Sequence, residues 1–386
     1  MLPGASAPFI YYTRMLRLTV SLPALVLLAV ACFGGGTDEP TLAPTDVLLN
    51  PTLVATPTAT PSPTPGPVPA LTIADVFPPR DLAQYGLDPS RLRTLIATGD
   101  VIPARYTDFI IREEGDNFLY TVEKTADIVA DADVTVVNLE APLIGHCPVH
   151  TEGFVFCGRP GFTDALVEAG VDVVTIENNH IGNWGFDGIA ETVDHLEAAG
   201  MAWSDRQTPA IVDVRGLKFG FIAFNGVIEV IDRAAMVEQI EALRPQVDVL
   251  AVSYHWGAEY VSLPAVAPGV ADDDPVTIGH LAIDAGADLV IGNHPHWVQA
   301  VEAYEGGYIT YAHGNYIFDQ DWSYETRVGV IGKYTFYDDQ LIGVEYVPTL
   351  IENFAQPVPM VGEERQAVLD GMRDASQQLA DLLAGG

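Results

Sequence analysis

Five short apolar runs in this chain end on side chains that can hold a metal ion or move a proton. No other feature constrains the fold as strongly. Residues 94–98 lead into Gly99-Asp100, 134–137 into Asn138-Leu139-Glu140, and 171–176 into Glu177-Asn178-Asn179-His180. Residues 247–253 lead into Tyr254-His255, and 287–291 into Gly292-Asn293-His294-Pro295-His296. Runs of this length suit strands buried on both faces. A sixth run lies at 219–224, and helical patterns near 119–131, 162–169, 186–199, 233–245 and 275–286 fall between the runs. That alternation predicts an α/β fold. Ligand sites of open α/β sheets lie outside the carboxyl ends of the strands, so the five polar termini are expected to meet there. Alone, each is an ordinary turn or capped loop; the shared placement gives them weight.

Asp, Glu, Asn and several His form a mixed oxygen and nitrogen donor set with no thiolate. Such a set suits one or two divalent ions such as Mn, Fe or Zn. The later runs at 308–311, 328–336 and 341–347 have no helices between them, and the last two predict a hairpin turning at Asp338-Asp339. The folded domain is expected over residues 94–350, after a lead-in at 71–93. A C-terminal extension, 351–386, carries an amphipathic helix at 362–383. No fixed-period repeat is visible.

Arg14 and Arg17 precede an apolar run at 18–31 that is about one signal-peptide core long and short for a membrane span. It closes on Ala29-Val30-Ala31-Cys32, which resembles a bacterial lipobox in which Cys32 would be freed and acylated. An uncleaved anchor is the other reading. Residues 1–32 are thus expected to export the chain and tether it to the outer face of a membrane. Residues 33–70, rich in Pro and Thr, are expected to form a stalk. Acidic residues number 52 against 18 basic, a net charge of −34, which argues against nucleic-acid binding. Cys147 and Cys157 are expected to pair as a disulfide in an exported chain. A zinc site with His146 and His150 is the competing reading, although their spacing fits no established ligand pattern.

Gly99-Asp100-Val101 with Arg105, Asn138-Leu139-Glu140-Ala141-Pro142-Leu143, Asn178-Asn179-His180, His255-Trp256-Gly257-Ala258-Glu259-Tyr260, Gly292-Asn293-His294-Pro295-His296 and Gly314-Asn315-Tyr316-Ile317-Phe318-Asp319 occur in this order. As a set they resemble the CapA family of capsule, or poly-γ-glutamate, synthesis proteins, which is similar to calcineurin-like metallophosphoesterases. The resemblance spans about residues 94–320. It implies a four-layer α/β/β/α sandwich with mixed sheets and a metal site at one end. It implies Asp100 and His296 on a first metal, His255 and His294 on a second, Glu140 bridging, Asn179 as a ligand and His180 as the acid that protonates a leaving group. The superfamily's first motif is Asp-x-His, whereas here Ile102 follows Asp100-Val101. That leaves the first metal one ligand short, and His313, before Gly314-Asn315, is a candidate replacement or a structural residue. Arg105 is read either as a grip for an anionic group or as a surface salt bridge. Glu259 is expected to orient His255 from behind or to cap a loop, and Asn315 to support the site.

Two functions follow. One is a metal-dependent hydrolase or transferase acting on a phosphoester or a glutamyl amide of an anionic polymer. The other is a non-catalytic scaffold among other polymer-synthesis proteins. A solute-binding lipoprotein would also explain anchor and stalk, but it predicts two similar lobes, which the sequence does not display.

Overall fold

The computed structural model describes residues 68–385. The expected signal segment, Cys32 and the stalk up to residue 67 lie outside the described residues. Strands follow in the order β1 (Leu92–Val101), β2 (Val134–Leu139), β3 (Val173–Thr175), β4 (Ala202–Ser204), β5 (Ala210–Val214), β6 (Leu217–Asn225) and β7 (Val249–His255). Then come β8 (Leu289–Asn293), β9 (Val301–Tyr304), β10 (Gly307–Thr310), β11 (Asn315–Ile317), β12 (Val328–Tyr337), β13 (Gln340–Glu352) and β14 (Gln356–Pro359). The helices are α1 (Tyr106–Glu113), α2 (Ala126–Val129), α3 (Phe162–Glu168), α4 (Gly185–Ala198), α5 (Arg233–Leu243), α6 (Pro275–Asp284), α7 (Tyr324–Arg327) and α8 (Gly362–Gly385).

Two mixed sheets result. One has the order β14-β13-β12-β1-β2-β3-β4, with β11 also on β1; the other runs β5-β6-β7-β8-β10-β9. Successive side chains of a strand point to opposite faces, and here both faces are apolar. Leu95, Ala97, Val134 and Val136 meet Phe219, Phe221, Val249, Ala251, Leu289 and Ile291 in a core between the sheets. Their neighbours Ile96, Val137 and Val174 turn outward onto Ile111, Phe162, Leu166 and Leu196 of α1, α3 and α4. On the far side, Ile222, Leu250, Val252 and Val290 pack on Met236 and Ile240 of α5 and Ile278 and Ala282 of α6. The layer order is therefore α/β/β/α, as the metallophosphoesterase resemblance implies.

The ends of the domain are tied in as well. Val76 of the lead-in is buried in the inter-sheet core, Phe77 stacks on Tyr346 with centroids 6.2 Å apart, and Arg80 donates to the Ile342 carbonyl at 3.2 Å. In α8, Leu369 and Met372 enter the inter-sheet core while Ala375 and Leu379 enter the outer one. Lead-in and extension are thus parts of the packed body. β12 and β13 turn at Asp338-Asp339.

One expected helix is corrected. Residues 119–131 form only a 3-10 turn, Phe118–Thr121, and the single turn of α2. Thr121 and Thr125 hydroxyls bond back to the Phe118 and Val122 carbonyls, a local competition that interrupts helices.

The site is opened by a change of partner along β1. Leu92 to Ala97 pair with β12, but Asp100 and Val101 pair with β11 and β2. A side chain on Gly99 would place its Cβ 2.2 Å from the Gly314 carbonyl oxygen, so only glycine allows this approach.

Candidate metal centre

Parallel register brings the polar strand ends together. Asp100 lies opposite Asn138 on β2 and Asn315 on β11, and His255 lies opposite Asn293 across β7 and β8. Because the two sheets face each other, these ends meet at one edge of the sandwich. Asp100 accepts from Asn138 Nδ2 at 2.9 Å and from the His294 amide at 3.2 Å, and its Oδ2 lies 3.3 Å from His296 Nδ1. Glu140 Oε1 lies 3.2 Å from His255 Nε2. Ligand atoms of Asp100, Glu140 and His255 all fall within 4.8 Å of one another, as do those of Glu140, His294 and His296. Glu140 belongs to both groups, which is the position of a bridging carboxylate.

The residues fit a bound cation on a second ground. Both Glu140 oxygens, His255 Nε2 and both His294 ring nitrogens are sheltered from solvent without a hydrogen-bond partner. Each such atom costs about 1–3 kcal/mol if left unpaired. The electrostatics point the same way. Burial, with the charge of Asp100, pushes the Glu140 carboxyl well above its usual range. Burial holds His255 at about 4, and burial plus the charges of His255 and His296 takes His294 well below its usual range. Burial opposes ionisation of Asp100 and of His296. The contact between the two reverses this, lowering Asp100 and raising His296 to about 9. A cation among these donors would favour the ionised Glu140 and the neutral His296 instead.

Supporting contacts orient the donors. His296 Nδ1 lies 2.9 Å from Asn315 Oδ1, and Asn315 Nδ2 donates to the Thr326 carbonyl at 2.8 Å and to Gln320 Oε1 at 3.2 Å. The amide is therefore fixed with its oxygen towards the ring, His296 donates from Nδ1, and Nε2 is left as the ligand atom. Asn178 Nδ2 donates to Asn138 Oδ1 at 3.1 Å, which turns the Asn138 amide nitrogen to Asp100. Asn179, the expected amide ligand, has a sheltered and unpaired side-chain oxygen. His294 (φ 93°), His296 (φ 56°), Arg105 (φ 53°) and Tyr260 (φ 62°) all occupy the left-handed region, a strain that gathers at functional sites.

His180 lies at the rim, half-buried, with its ring 4.2 Å from Phe156. Asn183 Oδ1 accepts the Phe156 amide at 2.6 Å, so it is an acceptor for His180 Nδ1 at 3.0 Å as well. Nε2 is left with the lone pair. Burial takes His180 to about 4 against the Asn183 bond, with the charges of His255 and His296 also lowering it. A ring held that low is neutral at rest, so as the acid that protonates a leaving group His180 would first have to take up a proton.

Three further expectations change. Arg105 is buried rather than at the surface, and its guanidinium is engaged. Nε lies 3.1 and 3.2 Å from the two Asp319 oxygens, Nη2 bonds the same carboxylate, and Phe156 and Phe318 lie 5.0 and 4.9 Å from the group. Glu259 makes no hydrogen bond to His255; its Oε1 lies 3.9 Å from His294 Nε2 and 4.0 Å from His296 Nε2. His313 does not supply the missing ligand: Nε2 pairs with the Tyr334 hydroxyl at 2.8 Å and Nδ1 lies 3.3 Å from the Gly292 carbonyl. Ile102, where the superfamily has its histidine, packs with Ala104, Ala141, Phe156 and Phe318. Cys147 and Cys157 are bonded, with Cα atoms 5.7 Å apart, which rules out thiolate ligands in that form. Sequence reasoning gave no role to Asn138, Asn178, Asn183 or Asp319. All but Asn183 lie within the quoted motifs, so their place beside candidate site residues was the available signal.

Residues 94–320 match the family model described as Bacterial capsule synthesis protein PGA_cap. The capsule biosynthesis protein CapA of Bacillus anthracis is 23% identical over 314 residues, covering 74% of this chain and 74% of that protein. The PGA biosynthesis protein CapA of Bacillus subtilis is 25% identical over 288 residues, covering 68% of this chain and 72% of that protein. Among solved structures, a hypothetical protein from Thermus thermophilus aligns with a TM-score of 0.42 at 17% identity, covering 66% of this chain and 98% of that one.

Proposed function

This chain belongs to the bacterial capsule synthesis protein family, and from that premise we propose that it is a metal-dependent hydrolase or transferase acting on a phosphoester or glutamyl amide during polymer synthesis. The observation that carries this reading is the set of buried, unpaired donor atoms on Glu140, His255 and His294, gathered from both sheets. A donor set built only to hold the fold would have its polar atoms paired. Asp100, Glu140 and His255 would hold one cation, and Glu140, His294 and His296 would hold another or share the same one. A bound divalent ion supplies Lewis acidity and a more acidic water. The chain's own contribution is placement. Asn315 fixes the His296 tautomer, and Asn138 fixes Asp100. His180 offers its Nε2 lone pair at the rim to take a proton from an attacking group and return it to a departing one.

The N-terminal layout supports a location on the outer face of a membrane, held through residues 1–32 by acylated Cys32 or by an uncleaved anchor. Polymer-synthesis proteins of the same system are the partners this placement would serve. The test is the metal content of the purified full-length chain together with a screen of phosphoesters and γ-glutamyl peptides. Bound Mn, Fe or Zn with turnover lost on chelation is the expected result. A chain that binds no metal and turns over none of these substrates would favour the scaffold reading.

A further inference from the structure

We propose that Glu259 is itself a ligand to the cation held by His294 and His296, in a centre that lacks the histidine absent at Ile102. The inference rests on the metal-centre reading above and adds a residue outside the superfamily's ligand set. Three observations converge. First, the expected position is closed, because Ile102 is fully buried among apolar side chains. Second, the nearest spare histidine is committed, since both ring nitrogens of His313 already face Tyr334 and Gly292. Third, Glu259 Oε1 stands almost equidistant from the two ligand nitrogens, 3.9 Å from His294 Nε2 and 4.0 Å from His296 Nε2. Neighbouring donors about 2.1 Å from one ion stand about 3–3.4 Å apart, so a movement of under about 1 Å by this exposed side chain would bring its oxygen onto an ion held by the two rings.

His294 sharpens the point. It is buried, neither ring nitrogen has a hydrogen-bond partner, and Glu259 approaches Nε2 from the solvent side with its own side chain 40% exposed. An outer-shell carboxylate would bond the ring N–H directly at hydrogen-bond length; this one stops short by the width that a metal ion would fill. The loop geometry agrees. Tyr260 next to it takes a left-handed φ of 62°, and its amide donates to the Pro295 carbonyl at 2.9 Å, which pins residue 259 against the His294-Pro295-His296 turn. Exchanging a histidine for a carboxylate also changes the donor set. Three carboxylates with three imidazoles shift preference from Zn²⁺ towards harder ions such as Mn²⁺.

The experiment is titration of the metal-free full-length chain with MnCl₂ by calorimetry and by Mn²⁺ EPR, for the wild type, Glu259→Ala and Glu259→His. Loss of an outer-shell partner costs about 10–100-fold in affinity. The expected result is a Kd more than about 100-fold higher for Glu259→Ala, with an altered EPR spectrum of the remaining bound ion. Glu259→His should hold metal but prefer Zn²⁺ over Mn²⁺. Because residue 259 is solvent-facing, melting of the metal-free variants should match the wild type. A Glu259→Ala chain within about 100-fold of wild type overturns the assignment while leaving the metal centre standing. A wild type that binds no Mn²⁺ removes the centre and this inference together.

Discussion

At the scale of single residues, ligand and proton carrier can be told apart. His294 has two buried ring nitrogens and no partner, whereas His180 is half-buried at the rim and held by Asn183. His180→Ala should leave metal content and melting temperature nearly intact while turnover falls by about 10²–10⁴-fold. His294→Ala should strip metal. Metal analysis beside single-turnover kinetics checks this, and loss of metal from His180→Ala would exchange the two roles. Arg105 gives a second contrast. It is 6% and Asp319 7% exposed, and removing one partner of such a pair costs about 3–5 kcal/mol because the other is left buried and charged. Asp319→Ala should lower the urea midpoint accordingly, and Arg105→Met with Asp319→Leu should recover most of the loss. If Arg105→Met instead raises KM at unchanged stability, the guanidinium grips substrate after all. These assignments mark where the sequence stops being legible. Donors at strand ends can be read from position alone, because a parallel strand delivers its last residue to one edge of the sheet. Partners such as Asp319, which lies 214 residues from Arg105, come from separate loops, and no local pattern records which way a side chain turns.

Among the elements, the long apolar strands and the helices behind them were visible as alternation. Several of the short ones were not. β4 and β11 have three residues each, and β11 lies inside a motif read for its chemistry. β5 alternates between buried and exposed and pairs only with β6. Such strands form because a neighbouring edge is available, a tertiary cause. The loop closed by Cys147 and Cys157 is the element nearest to function. It presents Phe156 to His180 and Arg105, and the Gly153 carbonyl accepts from Arg105 at 3.2 Å. Cross-linking a loop this short constrains the unfolded chain by about 3 kcal/mol. Replacing both cysteines with serine should therefore lower stability by about that amount. Turnover should fall as the Phe156–Asn183–His180 contacts loosen, with metal content unchanged. Denaturant melts, metal analysis and rates on one sample separate these effects, and metal loss in the serine variant would show that the loop supports the ligands themselves.

For the molecule as a whole, the question is where the folding unit starts. The expectation of a domain beginning at residue 94 treats the preceding segment as a connector, but Val76 lies in the inter-sheet core at 2% exposure and Arg80 bonds across to Ile342. Burying a valine fully and a phenylalanine in part is worth about 3–5 kcal/mol. That is a large share of the about 5–15 kcal/mol that separates folded from unfolded domains. Removal of residues 1–66 touches none of these contacts and keeps Val68, whose carbonyl accepts from Gln340 at 3.2 Å. Two truncations should therefore part company. The chain beginning at residue 67 should melt with the full-length protein. The chain beginning at residue 92 should lose about 10 °C or fail to accumulate in soluble form. Thermal melts of the three chains under one buffer decide the matter. Equal melting of both truncations would return the lead-in to the status of a connector, whereas a loss already present on removing residues 1–66 would place part of the folding unit upstream of residue 67.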